Sequence, residues 1–134
     1  MNTSVMLDQA VPDFELPATG GKTISLASLK GKNAVIYFYP KDNTPGCTLE
    51  GQDFRDQHAE FAKFNTVILG VSRDNLSSHE KFKAEQNFSF DLLSDSEEIL
   101  SKLFDVIKLK NMHGKEVMGI ERSTFVIDKQ GVLR

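Results

Sequence analysis

The sequence predicts an α/β domain with a mixed sheet. Three observations carry that prediction: two continuous apolar, β-rich runs at 34–39 and 67–72, a stretch of helical periodicity between them, and a strand–turn–strand pattern close to Arg134. A run of Ala34, Val35, Ile36, Tyr37, Phe38 and Tyr39 without polar alternation suits a strand covered on both faces.

The elements follow in order. Phe14-Glu15-Leu16 and Thr23-Ile24-Ser25-Leu26 alternate around Thr19-Gly20-Gly21, which predicts a short hairpin ahead of the main domain. The first buried strand ends at Pro40. From Thr44 to about Phe64, the residues Gly51, Phe54, His58 and Phe61 recur at helical spacing with charges on the other faces. The second strand covers 67–72, a more polar helix 75–86, and a short strand 90–93. Ser94-Asp95-Ser96-Glu97-Glu98 reads as an acidic helix start, continued by Ile99, Leu100, Leu103 and Phe104. A terminal hairpin is expected from 123–128, the Lys129-Gln130-Gly131 turn and Val132-Leu133. No repeat, low-complexity tract or linker divides the chain, so residues 1–134 are expected to form one domain.

Composition narrows the function classes. The 134 residues are 40% hydrophobic and 26% charged, and no apolar run approaches the roughly 20 residues of a membrane span. Sixteen Lys+Arg against nineteen Asp+Glu, a net charge of −3 without a basic cluster, make nucleic acid an unexpected partner. The first residues carry neither a positive cluster nor an apolar signal core, so a cytoplasmic location is expected. Cys47 is the single cysteine. That excludes an intramolecular disulfide, a Cys-x-x-Cys pair and a multi-cysteine zinc site within this sequence. His58, His79 and His113 lack metal-ligand spacing, and no metal or cofactor is expected.

Cys47 stands where a strand's carboxyl end turns into a helix, the edge at which α/β sheets place their sites. With Thr44 as N-cap, Pro45 occupies the first helical position and Cys47 the third. Free first-turn amides and the positive end of the helix dipole then favour the thiolate over the thiol. Cys47 also shares a face with Gly51, Phe54, His58 and Phe61, which predicts a partly exposed sulfur packed toward the sheet. On position alone, an inert core cysteine and a nucleophile remain open alternatives.

The neighbouring residues resemble a known family. Pro40, Thr44 and Cys47, at Pro-x-x-x-Thr-x-x-Cys spacing, are similar to the active-site signature of peroxiredoxins. The wider run 37–48, followed by Phe54-Arg55-Asp56, resembles the peroxiredoxin Q branch, also called bacterioferritin comigratory protein. Val11-Pro12-Asp13-Phe14 and the segment 119–128 agree. The resemblance implies a thioredoxin-like fold with an N-terminal hairpin extension, and a thiol peroxidase acting on hydrogen peroxide and organic hydroperoxides. Cys47 is implied as the attacking thiol, with the Thr44 hydroxyl and the Gly46 and Cys47 amides as donors, Arg122 as the cation, and Pro40 shielding the sulfur. Without the resemblance, Thr44 is an ordinary helix cap, Arg122 a solvated strand arginine, and Glu50 a first-turn dipole partner or ion-pair mate of a nearby arginine.

Two departures from the family bear on mechanism. Where many members carry a resolving cysteine five residues after the first, this chain has Gln52. The sulfenic acid of Cys47 is therefore expected to be resolved by an external thiol such as thioredoxin, glutaredoxin or glutathione. The family also continues with roughly another strand and a closing helix, which are expected to be absent here. A monomer is expected over a dimer. The competing expectation is a non-enzymatic peroxide sensor or redox-regulated binding module on the same fold.

Overall fold

The computed structural model describes residues 5–112 and 114–134. His113 and residues 1–4, part of the stretch expected to lack a signal sequence, lie outside the described residues. In chain order come β1 (Glu15–Ala18), β2 (Lys22–Ser25), a 3₁₀ turn (Ala27–Leu29), β3 (Asn33–Phe38), α1 (Pro45–Ala62), β4 (Thr66–Ser72), α2 (Leu76–Gln86), β5 (Asp91–Ser94), α3 (Ile99–Leu103), β6 (Ile107–Met112), β7 (Lys115–Ile120) and β8 (Ser123–Ile127). A six-stranded mixed sheet has the order β2-β1-β5-β4-β3-β8, while β6 and β7 form a separate antiparallel ribbon.

The apolar run of β3 is explained by its place in the sheet. Ala34, Ile36 and Phe38 face one core cluster, while Val35, Tyr37 and the following Tyr39 face the other. β4 runs parallel on one side of β3 and β8 antiparallel on the other. The register sets Tyr37 opposite Gly70, where a side chain on Gly70 would lie 2.8 Å from the Tyr37 ring. Glycine leaves room for the aromatic layer of Tyr37, Phe54 and Phe90.

The N-terminal hairpin forms as expected, and pairing of Ala18 with Leu93 joins it to the edge of the main sheet. Two expectations need correction. The acidic run does not start a helix. Glu98 is left-handed at φ 62°, α3 begins only at Ile99, and the buried Asp95 carboxylate accepts from the Leu100 and Ser101 amides. The second arm of the terminal hairpin is reduced to single bridges, Leu133 to Ile127 and Val132 to Ala10. The β6–β7 ribbon went unpredicted. Leu109 and Met118, paired across it, are exposed, so it has no continuous buried face to show as a pattern.

Candidate active site

The site is built at the carboxyl end of β3. Pro40, half-buried, starts a loop in which Asn43 is left-handed at φ 60° and Thr44 is extended, as the residue before a proline must be. Pro45 takes the first helical position and Cys47 the third, as predicted. Thr44 occupies the N-cap position without capping: its hydroxyl donates to the Lys41 carbonyl at 2.9 Å. The Gly46 and Cys47 amides lie in the first turn, where no helical carbonyl can serve them.

Cys47 is buried more deeply than its helical position suggests, at 2% exposure, in a cluster with Tyr37, Tyr39, Phe82 and Phe88. Its polar neighbour is Arg122, 75 residues further along, in the link between β7 and β8. Pairing of Phe38 with Ser123 brings that link to the end of β3. Arg122 Nη2 donates to Cys47 Sγ at 3.2 Å, and Nη1 donates to Glu50 Oε1 at 2.5 Å. Gly46 makes room, since a Cβ there would sit 3.3 Å from Arg122 Nη2. The Arg122 side chain is 40% exposed, while the sulfur it contacts is buried.

The electrostatics are those of a cation between two acceptors. Partial burial lowers the Arg122 pKa, but the hydrogen bonds to Cys47 and Glu50 outweigh it and the net direction is upward. Glu50 is raised above the ordinary carboxyl range by burial, which its bonds to Arg122 oppose. Tyr37 is raised further by burial, then by Glu50, Asp42 and Cys47, so its phenol stays neutral. The Tyr37 hydroxyl has no hydrogen-bond partner among the described residues.

Gln52 donates to Gln86 Oε1 at 2.8 Å, and Arg55 to the Gln86 carbonyl at 2.9 Å, tying α1 to the end of α2. His58 bonds Ser89 and stands outside the thiol's contacts. A pocket of about 380 Å³, lined by Lys22, Lys32, His58 and Asp91 among others, does not include Cys47.

One juxtaposition escaped the sequence reading. Asp42, Asp74 and His79 bring potential ligand atoms within 4.8 Å of one another. Each is already engaged: Asp42 by Tyr39, Ser78 and His79, Asp74 by Ser72 and the Asp42 amide, and His79 by Asp42 and the Leu93 carbonyl. The one signal available was that His79 lies three residues before the buried Phe82 on α2, which puts a polar ring on the apolar face.

Comparison with known proteins identifies the family. The profile of the AhpC/TSA family matches residues 7–134. Peroxiredoxin Bcp of Bacillus subtilis is 54% identical over 130 residues, covering 97% of this chain and 83% of that protein. A Xylella fastidiosa peroxiredoxin Q structure, a Cys-to-Ser mutant, superposes with a TM-score of 0.91 at 40% identity, covering 98% of this chain and 84% of that one. A Xanthomonas campestris bacterioferritin comigratory protein, solved in a study of its alkyl peroxide reduction, superposes at 0.88 with 49% identity, covering 98% and 84%. The chain belongs to the AhpC/TSA family and is a peroxiredoxin of the peroxiredoxin Q, or Bcp, branch. Its mixed sheet flanked by helices is the thioredoxin-like fold of that family.

Proposed function

We propose that Cys47 is the peroxidatic nucleophile of a thiol-dependent peroxidase that reduces hydrogen peroxide and organic hydroperoxides. The single observation that carries this reading is the 3.2 Å bond from Arg122 to Cys47 Sγ at the first turn of α1. The alkyl peroxide reduction reported for the Xanthomonas campestris protein supports the substrate class.

In the proposed step the thiolate attacks the terminal peroxide oxygen. An S–O bond forms as the O–O bond breaks, sulfur is oxidised to sulfenic acid, and the leaving oxygen takes a proton to become water or an alcohol. Arg122 and the first-turn amides of Gly46 and Cys47 are fixed donors for the charge that spreads over sulfur and both oxygens. The Thr44 proton is held by the Lys41 carbonyl, so Thr44 offers the peroxide O–H an acceptor rather than the donor that the family resemblance implies. Pro40 limits water at the sulfur, and Glu50 orients Arg122.

An external thiol then condenses with the sulfenic acid, releasing water and leaving a mixed disulfide that a second thiol reduces. Gln52, bonded to Gln86, replaces the internal partner. Thioredoxin, or glutaredoxin with glutathione, is the proposed class of reductant. The enzyme is proposed to act as a single-domain monomer in the cytoplasm. Among the described residues no helix is long and apolar enough to cross a membrane.

The test is mass spectrometry of the reduced protein after one equivalent of peroxide, with and without glutathione or thioredoxin, alongside dithiothreitol-supported turnover. The expected products are a Cys47 sulfenic acid and, with thiol present, a mixed disulfide. Turnover that persists in Cys47→Ser would overturn the assignment.

A further inference from the structure

The loop between β3 and α1 is anchored through one buried carboxylate. Asp42 is 6% exposed, and its backbone N–H donates to Asp74 Oδ2 at 2.8 Å. Its Oδ1 accepts from the Tyr39 hydroxyl at 2.6 Å, and its Oδ2 from the Ser78 hydroxyl at 2.8 Å. His79, fully buried on α2, places Nδ1 2.7 Å from the same Oδ2 and Nε2 2.9 Å from the Leu93 carbonyl oxygen on β5.

Proton counting follows from these partners. A carbonyl oxygen only accepts, so Nε2 carries a proton. Asp42 accepts two hydroxyl protons, and its short contact to His79 Nδ1 is satisfied by one proton lying between Oδ2 and that nitrogen. Removing it would set a nitrogen lone pair against a carboxylate in a buried site. The charged groups around the ring are Asp42 from the loop and Asp74 from the β4–α2 connection. Tyr39 is the titratable neighbour at the end of β3.

We propose that Asp42 and His79 are positioning residues for Cys47: a buried, hydrogen-bonded pair that fixes the 41–44 loop against α2 and β5, and so sets where the first turn of α1 presents the thiol to Arg122. The chain of contact is short. One residue separates Asp42 from Thr44: Asn43, held left-handed, and the Thr44 hydroxyl closes back on Lys41. Shifting this loop moves the start of α1, and displacement of reacting groups by about 1 Å can cost on the order of 100-fold in rate. The inference rests on reading Cys47 as the nucleophile.

The experiment compares Asp42→Asn, His79→Gln, the double variant and the milder Ser78→Ala, each folded and well below its unfolding temperature. Two rates are read, oxidation of Cys47 by one equivalent of hydrogen peroxide and its alkylation by iodoacetamide. Each single change at Asp42 or His79 is expected to lower both rates about tenfold or more, with the double variant no slower than the worse single, because the two act as a unit. Ser78→Ala should lower them severalfold. A role in stability alone would shift unfolding midpoints and leave these rates unchanged.

Unchanged rates, or losses that add in the double variant, would each overturn the proposal. A wild type inert to peroxide whose alkylation is slowed by the variants would remove the peroxidase reading and keep the pair. Peroxide turnover with variants equal to wild type would remove the pair alone.

Discussion

Arg122 is the residue at which the thiol's environment departs most from that of an ordinary core cysteine. One guanidinium reaches the sulfur and the Glu50 carboxylate together, a fork geometry that a lysine cannot reproduce. Because the side chain sits at the surface end of the site, Arg122→Met should leave the fold intact while slowing single-turnover peroxide oxidation of Cys47 by about 100-fold or more. Thr44→Val should slow it by about tenfold, through loss of the hydroxyl tied to Lys41. Stopped-flow oxidation of the reduced protein, checked against unchanged thermal midpoints, reads both. Equal rates in both variants and wild type would mean that other groups activate Cys47. The position of Cys47 in the helix was legible from Thr44-Pro45 and the spacing that follows. Its bond to Arg122 was not, because no local pattern relates residues 75 apart; only the family resemblance named that arginine.

At the scale of elements, α1 holds the site through one close approach. A Cβ on Gly51 would come within 2.3 Å of the Phe88 ring, and Phe88 is itself stacked on Phe90 and edge-on to Phe82, at centroid distances of 5.0 and 5.1 Å. The ring has little freedom to yield, so Gly51→Ala should destabilise the protein by roughly 1–3 kcal/mol through overpacking. Urea denaturation measures this, and an unchanged midpoint would show that α1 can move away at no cost. The helical period placed Gly51, Phe54 and Phe61 on the sheet-facing side correctly, since burial of one helix face leaves its mark on the sequence. The β6–β7 ribbon left no comparable mark, and α3 starts later than its acidic run predicts, because Asp95 caps it from outside the helix through tertiary geometry.

For the whole molecule, Asp91 joins four parts of the fold. Its carboxylate takes Lys22 of β2 at 2.8 Å, Lys83 of α2 at 2.9 Å and the Thr19 hydroxyl at 3.1 Å, all onto β5. Burial acts to raise its pKa, but the two lysines outweigh it and hold the carboxyl below its ordinary value. A carboxyl depressed on folding binds fewer protons folded than unfolded. Its stabilisation is therefore present above the unfolded value of about 3.9 and is lost as pH falls through the lower folded value. Asp91→Asn should lower the unfolding midpoint at neutral pH and flatten its decline as pH falls below about 4. A variant that keeps the wild-type slope would assign the acid sensitivity to other carboxylates.

The amino-acid sequence by itself determined what depends on neighbours along the chain. That comprises strands covered on both faces, a helix opened by Thr44-Pro45, Cys47 in its third position, and no second thiol at Gln52. These follow from side-chain period and backbone preference, which act over a few residues. Only the tertiary structure decided the deep burial of Cys47, the bridge from Arg122 to sulfur and Glu50, and the pairing of Asp42 with His79. Each depends on sheet order. β8 beside β3 brings Arg122 to the thiol, and β4 and β5 carry α2 and the Leu93 carbonyl to the loop. That order arises from packing the two apolar faces of one sheet, and no local pattern in the sequence records it.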